Sequence, residues 1–144
     1  MYPSFSLKGE EMKVSQVIGI FDEERPNQVK VDTKMRWLKE IETRILNDVV
    51  LTHELPKDEE GEDVDFSNYF ETWGTDFELY ITEEYVDVYK YFLDQKTCYM
   101  ENDYNQFNMV NALFTASYLA YVQYYNRTHL PNQVPPKLLD HTRC

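Results

Sequence analysis

The groups in this 144-residue chain that could carry out chemistry are three histidines, two cysteines and one dense run of carboxylates. His53, His129 and His141 each stand alone in a segment without helical pattern. His141 and Cys144 are spaced to offer two ligands to a metal, but a zinc site needs a second such pair, and the sequence has none. The acidic run Asp58, Glu59, Glu60, Glu62, Asp63 and Asp65 supplies oxygen ligands without the order of a calcium loop. Such a loop needs its glycine sixth, and Gly61 falls fourth when counted from Asp58. Ser117 and Cys98 are nucleophile candidates inside helical patterns, with no histidine at helical spacing to accept a proton. The four glycines form neither a phosphate-binding loop nor a dinucleotide fingerprint. The chain therefore reads as a non-enzyme without metal or cofactor, whose carboxylates act as charge.

That charge is unevenly placed. Residues 1–50 carry eight bases and nine acids, residues 51–84 one base and twelve acids, and residues 85–144 five of each, so nearly all of the net charge of -12 sits in the middle segment. Gripping a phosphate backbone takes clustered Lys and Arg, which this chain lacks. An acidic surface can still surround DNA without holding it. Met1–Glu10 has no apolar run of signal-peptide length, and no window reaches the 18 or so apolar residues of a membrane span, so a soluble protein is expected. Cys98 and Cys144 lack the spacing of a disulfide scaffold, which fits synthesis in a reducing cytoplasm.

The elements that must position these groups are helical. Val14, Val17, Ile18 and Phe21 predict a first helix over Met12–Glu24, ended by Arg25-Pro26-Asn27. A second is expected from Asp32, as N-cap, to about Val50, with Met35, Leu38, Ile41, Ile45 and Val49 inward. Trp37 lies off that stripe and has two readings: a cover over the helical hairpin, or an anchor for a neighbouring molecule. Residues 51–81 show no helical period and contain Pro56, Gly61 and Gly74. They predict a long loop with room for a short β-hairpin. Thr82, followed by Glu83 and Glu84, predicts the N-cap of a third helix that breaks near Asn102-Asp103. Tyr104, Phe107, Asn111, Phe114, Tyr118, Tyr121 and Tyr125 recur at alternating spacings of three and four, an aromatic-rich stripe about 33 Å long. The tail from Thr128, with Pro131, Pro135 and Pro136, reads as an extended arm with apolar anchors.

The expected fold is all-α: a small four-helix bundle in one domain, residues 1–127, with an acidic loop at 51–81 and a C-terminal arm at 128–144. Eleven of the twelve tyrosines lie between Tyr69 and Tyr125, more than four helices of this size easily bury. The surplus points to an assembly surface, for which Trp37, Tyr118, Tyr121 and Tyr125 are the candidates.

Two stretches carry a family resemblance: Arg25-Pro26-Asn27 through Lys34-Met35-Arg36-Trp37-Leu38 to Ile45, and Tyr85-x-x-x-Tyr89-x-Tyr91 through Asn105-Gln106-Phe107-Asn108 to Tyr124-Tyr125-Asn126-Arg127. Together they resemble the head-tail connector (adaptor) proteins of long-tailed phages and prophages of Gram-positive bacteria. The resemblance spans roughly residues 13–50 and 82–131, and residues 51–81 match nothing in it. It implies a structural subunit of the virion neck, made in the host cytoplasm, in a closed ring of about twelve copies under the portal protein. Such a ring extends the channel through which double-stranded DNA passes and presents a platform to a stopper or head-completion protein and then the tail. The resemblance further implies an arm that docks on the portal, here Leu130, Pro131, Val134, Pro135, Leu138 and Leu139. An acidic lumen keeps DNA from sticking, so some of Asp58 to Asp65 are expected to line the channel. Lys30, Lys34, Arg36 and Lys39 could then face a neighbour's acidic loop. The rival reading is an acidic inhibitor, a DNA mimic or immunity-type protein that caps a basic surface; a small helical enzyme comes third.

Overall fold

The computed structural model describes residues 11–132. Among them the chain is mostly helical, with α1 at Val14–Glu24, α2 at Val31–Asp48, α3 at Asp87–Met100 and α4 at Tyr104–Thr128. A two-stranded antiparallel sheet pairs β1, Met12–Lys13, with β2, Glu78–Leu79, setting Met12 opposite Leu79. Short 3-10 turns occupy Val50–Thr52 and Glu83–Tyr85.

The helices follow their apolar spacing, and their ends depart from expectation for local reasons. Met12 is extended rather than helical, because strand pairing buries its side chain. The first two amides of α1, Val14 and Ser15, donate to the carbonyls of Phe77 and Thr75, each at 2.9 Å. Residues distant in sequence thus satisfy these two amides, while locally Gln16 Oε1 accepts the Lys13 amide at 2.8 Å. At the other end Arg25 is extended ahead of Pro26 and reaches Asp94 and Glu101, both at 3.0 Å, tying α1 to α3. Asp32 sits inside the first turn of α2 rather than at its N-cap, where its charge still suits the helix dipole. Thr82 opens the 3-10 turn, and α3 begins only at Asp87. The break before α4 lies at Asn102, with φ 60°, and Asp103, whose carboxylate accepts the Gln106 amide at 3.2 Å.

The buried arc of α2 is broader than one stripe, since α2 packs on both α1 and α3. It takes in Lys34, Trp37, Leu38, Ile41, Glu42, Ile45 and Leu46. Lys34 is only 3% exposed and meets Asp22 at 2.6 Å, so it does not face outward as expected. α3 and α4 share the most extensive helix contact, with Phe92 on Phe114 and Tyr85, just ahead of α3, on both Tyr121 and Tyr124. Arg44 of α2 lies 4.8 Å over the Tyr118 ring of α4. No helix among the described residues is long and apolar enough to cross a membrane.

Candidate functional site

The acidic run forms a tight hairpin. Val64 N–H donates to the Pro56 carbonyl at 2.9 Å and Asp58 N–H to the Glu62 carbonyl at 2.8 Å, with Lys57 and Asp63 bridged between them. The Asp58 carboxylate accepts the amides of Glu60 and Glu62 at 3.0 and 2.9 Å, an Asx turn that closes the tip. Gly61 holds φ +81°, a conformation costly for any residue with a Cβ. Of the six acids, Asp58 is therefore used to build the turn. Asp63 pairs with Lys57, whose ammonium it pushes up. Asp65 accepts the Ser67 amide at 2.9 Å, which holds its carboxyl below the usual range. Glu59, Glu60 and Glu62 stand exposed at the tip.

Beyond the hairpin the chain builds an aromatic footing. Phe66, Tyr69, Phe70, Trp73 and Phe77 pack ring against ring at centroid distances between 4.9 and 6.0 Å. A single buried carboxylate bolts this footing to the helices. Glu42 of α2 is fully buried, and its Oε2 accepts the Tyr69 hydroxyl and the Tyr80 amide, each at 2.7 Å. Its Oε1 accepts the Tyr89 hydroxyl of α3 at 2.6 Å, while that hydroxyl in turn accepts the Ile81 amide at 3.0 Å. Burial raises the Glu42 pKa, and the three donors pull it back only in part. Burial and the Glu42 charge push the Tyr69 and Tyr89 hydroxyls up, so they donate hydrogen bonds and do not act as bases.

The root of the C-terminal arm lies beside the hairpin. His53 and Pro131 form an antiparallel bridge, Glu54 N–H donates to the Leu130 carbonyl at 2.8 Å, and Asn132 N–H donates to the Thr52 carbonyl at 3.1 Å. Buried His53 fixes this junction. Its Nδ1 lies 2.7 Å from the Val49 carbonyl oxygen and its Nε2 lies 2.7 Å from Asn126 Oδ1, so the ring spans from the end of α2 to α4. Behind it, His129 stacks flat on Tyr125 at 3.7 Å, and partial burial lowers the His129 pKa. Leu51, His53, Glu54, Leu55, Lys57, Asp63 and Asn132 line one groove shared by hairpin and arm root.

Residues expected at a subunit interface are placed otherwise. Trp37, Tyr121 and Tyr125 are 7%, 4% and 1% exposed, buried within the chain itself. Their rings are enclosed by the breadth of the α2 packing and by residues 66–81 folding over α4, where Tyr80 meets the Tyr125 hydroxyl at 2.9 Å. Tyr118 is half-buried. Of the arm residues, Leu130 and Pro131 are exposed, and Val134, Pro135, Leu138 and Leu139 lie outside the described residues. The nucleophile candidates have structural partners: Ser117 donates to the Phe114 carbonyl, and Cys98, buried, sits 3.6 Å from both Asp94 and Arg25. Burial pushes the Cys98 thiol up, away from the reactive thiolate. Among the described residues no three His, Cys, Asp or Glu side chains gather in a metal-binding group.

Glu42 is the residue that sequence reasoning missed. It stands four residues after Leu38 and three before Ile45, inside the inward arc, and a carboxylate at such a position signals a buried partner set. No protein-family model, curated protein or solved structure matches this chain.

Proposed function

We propose that this chain is a head-tail connector subunit of a bacteriophage neck, a four-helix bundle that joins a closed ring of about twelve copies beneath the portal. The ring extends the DNA channel and joins the head to the stopper and tail. The observation that carries this reading is the side-by-side anchoring of the acidic hairpin and the arm root at Leu51–Glu54. A connector needs an arm that grips the portal and a surface that DNA slides past, and here both spring from one braced junction. The exposed Glu59, Glu60 and Glu62 suit a channel wall, since carboxylates repel phosphates across a Debye length of about 8–10 Å. Subunit contacts in such a ring run through surfaces other than Trp37, Tyr121 and Tyr125, which the fold itself consumes.

The acidic inhibitor is the second reading, favoured by the same stiff hairpin, because three glutamates at a rigid tip also suit insertion into a basic active site. Counting copies of the protein in gradient-purified, DNA-filled phage particles separates the two. About twelve copies per particle supports the connector, whereas absence from particles that retain portal and tail proteins discards it and favours the inhibitor. Replacing Glu59, Glu60 and Glu62 with Gln is then expected to alter DNA retention or release while particles still assemble.

A further inference from the structure

Among the described residues, α4 has a second face that packs against nothing. Val110, Phe114, Tyr121 and Tyr125 point into the body, and on the opposite side Asn105, Met109, Ala112, Leu113, Ala116, Leu119, Ala120, Gln123 and Arg127 are all exposed. At 3.6 residues per turn these nine lie within about 60° of Ala116, one continuous stripe. Met109, Leu113 and Leu119 are 59%, 43% and 53% exposed, an unusual concentration of large apolar side chains in water. The centre of the stripe reads the same in both directions about Ala116: Ala112 mirrors Ala120 and Leu113 mirrors Leu119, while farther out Met109 lies opposite Gln123 and Asn105 opposite Arg127.

We infer that this face pairs with the same face of a second copy, the two α4 helices running antiparallel about a two-fold axis at Ala116. A two-fold interface must be self-complementary, residue i meeting j while j meets i, and the central Ala112/Ala120 and Leu113/Leu119 pairs meet that condition. Leu113 packs on the partner copy's Leu119 on either side of the axis, and the three alanines at spacings of four let the helices approach closely.

Charge selects the occupant and the direction. The chain carries a net charge of -12, yet Tyr104 to Asn126 contains no charged residue, and the stripe points away from the body on which residues 51–84 fold. Two copies of so acidic a protein repel through most of their surface, and α4 is where they meet without opposing carboxylates. Parallel pairing would set Arg127 on Arg127. Antiparallel pairing instead brings Arg127 over the start of the partner copy's helix, beside the exposed acids Glu101 and Asp103, and opposes the two helix dipoles. Such a pair closes on itself and does not propagate, so it stands apart from the neck reading and holds or fails independently of it.

The test uses the full chain in sedimentation velocity from micromolar to sub-millimolar concentration, with oxidative cross-linking in a Cys144→Ser background. A monomer–dimer equilibrium is expected, with a micromolar dissociation constant, as befits a small interface. Ala116→Glu, which sets two carboxylates face to face on the axis, is expected to weaken it at least about tenfold while far-UV circular dichroism stays unchanged. Ala116→Cys is expected to form a disulfide-linked dimer, whereas Leu113→Cys links efficiently only when mixed with Leu119→Cys. A monomer at every concentration overturns the inference. So does a dimer or larger assembly indifferent to Ala116→Glu, or one in which Leu113→Cys links to itself more readily than Ala116→Cys does.

Discussion

Residues 66–81 and helix α4 form an instructive pair. The first has almost no regular backbone, and yet it sends Phe77, Leu79 and Ile81 into the core. The second is 25 residues of unbroken helix, with Met109 and Leu119 more than half exposed. A helix satisfies its own backbone hydrogen bonds and can rest on the body by one face alone. An irregular segment has no such internal ladder, so each of its polar groups needs a partner elsewhere. Here the partners are particular: Glu42 takes Tyr69 and Tyr80, Tyr89 takes Ile81, and the carbonyls of Thr75 and Phe77 cap α1. The acidic hairpin is thereby displayed from a fixed base.

If that is the source of order, removing the central acceptor has the largest effect. Glu42→Ala leaves two tyrosine hydroxyls and a backbone amide without their partner and is expected to cost about 3–5 kcal/mol, read as a lower urea midpoint with residues 66–81 loosened first. Phe77→Ala tests the aromatic footing and is expected to cost about 3–4 kcal/mol. The pH dependence of Glu42 comes next. Its folded pKa lies above the unfolded value of about 4.3, so the stability it contributes is full below that value and is lost as pH rises through the folded pKa. Wild type minus Glu42→Gln should therefore show stability falling across that window, by at most about 1.4 kcal/mol per pH unit, and level above it. The smallest effect belongs to the other side of the comparison: Leu119→Ala in dilute protein should change stability by less than about 0.5 kcal/mol. A large loss there would mean that α4 is no freer than the irregular segment.

Legibility in the sequence divides along the same line. The four helices and the break at Asn102-Asp103 show in spacings of three and four, because a repeating geometry leaves a repeating pattern. The bracing of residues 66–81 has no period and leaves none, although its rings, Phe66, Tyr69, Phe70 and Trp73, stand in the sequence close behind the acids. A strand pair as short as Met12–Lys13 with Glu78–Leu79 is below what alternation can signal. The tyrosines misled in the opposite sense. Their number pointed outward to an assembly surface, but Tyr89, Tyr121 and Tyr125 are buried, Tyr89 and Tyr125 with hydroxyls bonded to groups on other elements, while the exposed face of α4 carries Met, Leu and Ala. The arm root could not be read from sequence either, since the bridge from His53 to Pro131 joins segments 78 positions apart.

Native-state hydrogen exchange at single amides tests the central claim most directly, namely that the acidic hairpin stands on an ordered base. The Tyr80 and Ile81 amides, bonded to Glu42 and Tyr89, are predicted to exchange as slowly as the cores of α2 and α3, while Glu59, bonded to nothing regular at the hairpin tip, exchanges quickly. Rapid exchange throughout residues 66–81, with the helices still protected, would contradict it and leave the carboxylates on a loose tether.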